Sequence, residues 1–130
     1  MHVRVRRDLP GVVRVCLVGD LDIATGDDCR RALEAELAAR PPVLVIDASD
    51  LRFMAASGVR TLADTWRAGR QVGVKVRIEA ARPQVAAVLW ITGAWDVLCD
   101  EPLPAEATSF VAPGRRTARR DGAPNPPHRW

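Results

Sequence analysis

The sequence predicts an α/β fold, a mixed β-sheet of four to five strands with helices packed against it. Three observations carry this expectation. An alternating segment and a long apolar segment flank Pro10-Gly11, which reads as an opening hairpin. Strand-like and helix-like apolar periodicities then alternate along the chain. Finally, Val43-Leu-Val-Ile46 is an unbroken apolar run, the pattern of a strand covered on both faces.

Each element has its own signal. Val3, Val5 and Leu9 alternate with arginines, as in a half-exposed edge strand. Val12 to Val18 forms the second strand and ends in Gly19-Asp20-Leu21-Asp22. Thr25 reads as a helix N-cap, with Asp28 three residues on in a capping-box arrangement. The helix carries Cys29, Leu33 and Leu37 at three-and-four spacing and stops before Pro41-Pro42. After Val43–Ile46 comes Asp47, a short connection, and the small-residue corner Ala55-Ala56-Ser57-Gly58. The next helix, from about Ser57 to Gln71, presents Val59, Leu62, Ala63 and Trp66 on one face, and Gly69 and Gly73 mark its frayed end. Val74, Val76 and Ile78 alternate with Lys75 and Arg77, a strand with one wet face. Pro83 opens a helix over Gln84–Thr92, and Gly93 caps it. Trp95–Leu98 reads as a short last strand or the approach to one, and a short helix fits Ala105–Phe110.

Composition narrows the class of protein. A chain of 130 residues with 48% hydrophobic and 27% charged residues suits one soluble domain, assigned to residues 1–112. No run reaches the length of a membrane span, and the start has no signal-peptide pattern, which together point to the cytoplasm. Cys16, Cys29 and Cys99 form no CxxC pair and read as reduced, buried thiols, so neither a metal nor any other cofactor is expected. The formal charge of +3 is unevenly placed. Residues 113–130 hold five arginines and one acid, a basic Pro/Arg-rich tail expected to be disordered, whereas the first 112 residues are nearly neutral. Without a basic face on the body, no nucleic-acid role is expected.

The corner is the chemically suggestive feature. Small residues let another molecule approach the backbone, and the first amides of the following helix lack intrahelical partners. Ser57 carries its only hydroxyl. As a nucleophile Ser57 would need a neighbouring base, yet His2 and His128 lie at the two termini. No G-x-S-x-G or phosphate-cradling loop is present, so an enzyme and a small-molecule substrate are not expected.

Four segments in order resemble the STAS family, the sulphate-transporter and anti-sigma-factor-antagonist domains. They are Gly19-Asp20-Leu21-Asp22 with Thr25, Leu44–Asp47 followed by Leu51–Met54, Ala55-Ala56-Ser57-Gly58, and Ile91-Thr92-Gly93 with Trp95–Leu98. The resemblance implies a regulatory binding module of the anti-sigma factor antagonist kind, whose partner would be an anti-sigma factor of the serine-kinase type. It also implies that release of the partner follows phosphorylation of the corner. In this sequence the family's acidic residue and its usual acceptor are replaced by Ala55 and Ala56, leaving Ser57 as the only acceptor candidate. A phosphorylation-insensitive antagonist is therefore one implied outcome. A STAS subunit of a lipid-transport or stress-signalling assembly is the alternative.

Asp20, Asp22, Ala55, Ala56, Ser57 and Gly58 are the implied partner-binding residues. Several have a structural reading beside the functional one. Ser57 suits a helix N-cap, Asp20 and Asp22 suit a turn, and Asp47 suits bonding of loop amides. Trp66, Trp90 and Trp95 are candidate partner anchors, with Trp66 expected in the core or its rim and Trp90 expected to be the exposed one.

Overall fold

The computed structural model describes residues 1–110, together with the backbone but not the side chain of Asp8. The expected tail 113–130, and with it the domain limit at 112, lies outside the described residues. Four strands form one mixed sheet in sequence order: β1 (His2–Leu9), β2 (Val12–Leu21), β3 (Val43–Met54) and β4 (Lys75–Glu79). β1 is antiparallel to β2, whereas β2, β3 and β4 run parallel, so the connections after these three strands gather at one end.

The connecting helices are α1 (Gly26–Ala38), α2 (Ala56–Gln71) and α3 (Pro83–Ile91). A single turn, α4 (Trp95–Leu98), and a 3-10 turn, Ala105–Phe110, follow. The core lies between the helices and one face of the sheet, where Val15, Leu17, Leu44, Ile46 and Ile78 meet Cys29, Leu33, Leu62 and Leu89. Turning these side chains from water supplies the main driving force for the fold.

The opposite face of the sheet has an ionic cover. Register places Arg6, Arg14, Val45 and Arg77 in one row, and Arg4, Cys16, Asp47 and Glu79 in the next. Arg14 reaches Asp47 at 3.4 Å and Glu79 at 3.3 Å, while Arg77 reaches Glu79 at 2.9 Å. Val45 is fully buried between Arg14 and Arg77, whose stems cover it and whose guanidiniums pair with Asp47 and Glu79. The apolar run Val43–Ile46 is thus covered on both faces, on one of them by arginine stems.

Glycines decide two approaches. Gly69 lies inside α2, where a Cβ would stand 2.6 Å from Val76 Cγ2 and 2.9 Å from Val74 O. It marks a helix–strand contact and not the fraying predicted for it. Gly93 adopts φ 84°, and its neighbours make the expected helix stop: Gly93 N–H donates to Trp90 O, and Ala94 N–H to Leu89 O.

Two expected elements differ. Trp95–Leu98 is a helical turn, because the backbone leaves α3 through Ala94 with Leu98 N–H donating to Ala94 O at 2.9 Å. Cys99 then joins the sheet through an isolated bridge to Ile78. The capping box at Thr25 is absent. The Thr25 hydroxyl turns back to donate to Asp20 O and accepts from Asp22 N–H, each at 2.9 Å.

Candidate functional site: the corner at the ends of the parallel strands

Leu21 and Met54 are register partners at the last row of β2 and β3, and both are buried. Ala55 N–H donates to Leu21 O at 2.9 Å, which fixes residue 55 in an extended conformation against β2. The helix can then begin only at Ala56. Ala55 is therefore the N-cap, and it supplies no side-chain cap. This corrects the N-cap reading of Ser57, which lies in the first turn of α2, two residues beyond the cap.

The corner residues differ in access. Ala56 is exposed, Ala55 and Ser57 are half-buried, and Gly58 is buried. Gly58 faces inward because a Cβ there would meet Leu21 Cγ at 2.8 Å and both Leu21 O and Met54 Cγ at 3.0 Å. The Ser57 hydroxyl makes no hydrogen bond among the described residues. Its carbonyl accepts from the Thr61 hydroxyl at 3.4 Å.

The β2–α1 connection runs beside the corner. Asp22 Oδ1 accepts from the amides of Ala24 and Thr25 at 3.0 and 3.1 Å, a turn-forming role. Asp20 is about half-exposed, 3.6 Å from the Arg52 guanidinium. Asp47 lies farther back on the sheet. Burial raises its pKa, but bonds from the Ser49 hydroxyl and amide and the Arg14 charge outweigh that and hold it below the usual carboxylate range.

Sequence reasoning missed two side chains at this end. Ile23 is 87% exposed and Phe53 52% exposed, both unusual for large apolar groups. Phe53 lies beside Asp20 in register, and Ile23 follows Asp22 in the turn. Simple alternation would put Phe53 on the buried face with Leu51. A register irregularity between Gly19 and Asp20 breaks that alternation, since Gly19 pairs with Leu51 and Asp20 with Phe53. An apolar residue among turn formers, as at Ile23, was the available signal.

The tryptophans do not join the site. Trp95 is buried, so it is no anchor for a partner, and Trp90 is half-buried against the core instead of exposed. Trp66 lies at the core rim with the Arg70 guanidinium 5.0 Å from its ring centre. Among the described residues no cluster of His, Cys, Asp and Glu could hold a metal ion, and no helix is long and apolar enough to cross a membrane.

The STAS domain model matches residues 4–107. The chain belongs to the STAS domain family. Among solved structures, this STAS domain is similar to an anti-sigma factor antagonist from Mycobacterium paratuberculosis, with 28% identity and a TM-score of 0.65 over 83% of this chain and 92% of that one. It is also similar to the anti-sigma factor antagonist SpoIIAA in its unphosphorylated form, at 20% identity and a TM-score of 0.63, over 85% and 96% of the two chains. The murine anion transporter Slc26a9 shares the fold at 20% identity and a TM-score of 0.63. There 80% of this chain matches 18% of that chain. No curated protein matches the sequence.

Proposed function

We propose that this STAS domain is a regulatory binding protein of the anti-sigma factor antagonist kind. Its corner docks on an anti-sigma factor of the serine-kinase type and so releases a sigma factor, and it stays docked because the usual acceptor position is Ala56. The observation that carries the reading is the exposure of Ala56 at the opening of α2, where a methyl stands in place of a hydroxyl. A phosphate at such a contact would add about 1.5 to 2 negative charges and repel the partner through charge and desolvation. Ala56 cannot receive one. The similarity in fold and length to the two antagonists supports the docking mode. Ile23 and Phe53 provide apolar area at the same end, as interface centres commonly do.

The test is incubation with the purified serine-kinase anti-sigma factors of the same genome and ATP, followed by intact mass and size-exclusion chromatography. A stable complex with no added phosphate is the expected result. A phosphate that disappears in Ser57→Ala would replace permanent antagonism with a switch at Ser57. Absence of any complex would shift the reading to a constitutive subunit of a larger assembly.

A further inference from the structure

β1 is an edge strand, paired with β2 and with no other strand among the described residues. Alternate residues of such a strand turn their N–H and C=O groups outward, a template for another strand. Register with β2 is continuous from His2 to Arg6, and an irregularity before Leu9 ends it. The two faces of this segment differ. Val3 and Val5 pack toward the core yet remain half-buried, while Arg4 and Arg6 stand exposed on the other face. A fifth strand would complete the cover of both valines and place its intervening residues beside both arginines.

Charge selects the occupant. Edge-to-edge pairing with a second copy would set Arg4 and Arg6 against arginines of the same strand, and like charges across a pair are unfavourable. Residues 113–130, with five arginines and one acid, carry the same sign. An acidic strand is attracted instead. Arg4 is paired with Asp50 at 3.4 Å, but both side chains are about half exposed and such pairs are weak. Asp50 also keeps a second cation, Arg82, at 3.9 Å, so Arg4 can be shared without stranding it. Arg7, 62% exposed and bonded to Glu36 at 2.7 Å, adds a cation at the end of the template.

We infer that the β1 edge binds an extended acidic segment of a partner protein by strand addition, with Asp or Glu at alternate positions and apolar residues between them. Main-chain pairing supplies attachment, and Arg4 and Arg6 supply selection. None of the corner residues takes part, so this surface stands or falls independently of the proposed docking at Ala55–Gly58.

The probe is a fluorescein-labelled peptide of alternating Glu and Val, titrated into the full chain, with a Lys/Val peptide as its counterpart. Saturable binding of the Glu peptide is expected, with amide shifts concentrated in His2–Arg7. Reversing both charges with Arg4→Glu and Arg6→Glu should weaken it about tenfold or more, as two attractive pairs become repulsive. N-methylation of alternate peptide amides should abolish it. A thermal melt checks that the double variant is folded, and Arg4→Gln with Arg6→Gln provides a milder substitute. Failure of the Glu peptide to bind, equal binding of the Lys peptide, indifference to either change, or shifts confined elsewhere would each overturn the inference. Self-association of the chain through β1 would overturn it in favour of a second copy.

Discussion

Replacing Gly58 by Ala tests how the corner is built. Helix propensity alone says that the change should help, because Ala is favoured over Gly by up to about 1 kcal/mol. The packing reverses the sign. The added Cβ would meet Leu21 Cγ at 2.8 Å, Leu21 O at 3.0 Å and Met54 Cγ at 3.0 Å. Leu21 is fully buried and Met54 nearly so, and Leu21 O also holds the Ala55 amide. None of these atoms can withdraw cheaply. Overpacking of this kind costs about 1–3 kcal/mol, so a net loss of about 1–2 kcal/mol is expected after the propensity gain. For a domain of this size that corresponds to a fall in Tm of roughly 4–9 °C. Urea denaturation followed by tryptophan fluorescence and far-UV circular dichroism measures it. Ala56→Gly serves as the control, since it removes an exposed methyl from the same turn and should cost about 1 kcal/mol or less. A Gly58→Ala protein as stable as the parent, or more so, would refute the close-contact account of the corner.

Gly69→Ala should likewise destabilise, by about 1–2 kcal/mol, because its Cβ would enter Val76 and the Val74 carbonyl. Val76→Ala in the same chain should reduce that penalty, as a double-mutant cycle in urea would show. Asp47, with its folded-state pKa held below the ordinary carboxylate range, stabilises the fold above the unfolded-state value near pH 4 and loses that contribution as pH falls through its folded value. Asp47→Asn should flatten the acid limb of stability against pH. Burial, against the opposing charge of Arg30, pushes the Cys29 thiol up to about 11. Burial, assisted by Glu101 and Asp100, pushes Cys99 up to about 12. Both thiols should resist alkylation at neutral pH until the protein is unfolded in urea, as mass spectrometry would show. Ala56→Ser places a hydroxyl at the exposed acceptor position. If the proposed docking is right, the partner kinase with ATP should phosphorylate residue 56 and the complex should dissociate on size-exclusion chromatography.

Much of the architecture was legible because it depends on local pattern. The alternation at Val3 and Val5, the apolar run Val43–Ile46 and the spacing of Cys29, Leu33 and Leu37 each state which face is buried, whatever the rest of the chain does. Gly93 could be read as a helix stop for the same reason, since the stop depends on its own φ. The corner was legible as a stretch of small residues, and its alanines could be placed against the family pattern.

What the sequence alone determined, then, was the order of elements as far as α3, most of their buried faces and the absence of a hydroxyl at residue 56. Only the tertiary structure decided where α2 begins, because the bond from Ala55 N–H to Leu21 O joins residues far apart in the chain. It also decided that Gly58 and Gly69 mark close contacts, which depends on what lies opposite a missing Cβ. Phe53 is exposed for a similar reason. Alternation holds only while two strands advance in step, and β3 spends 12 residues where β2 spends 10. Periodicity along one strand carries no record of its partner's register, so the exposed apolar surface beside the corner emerges only when the strands are paired.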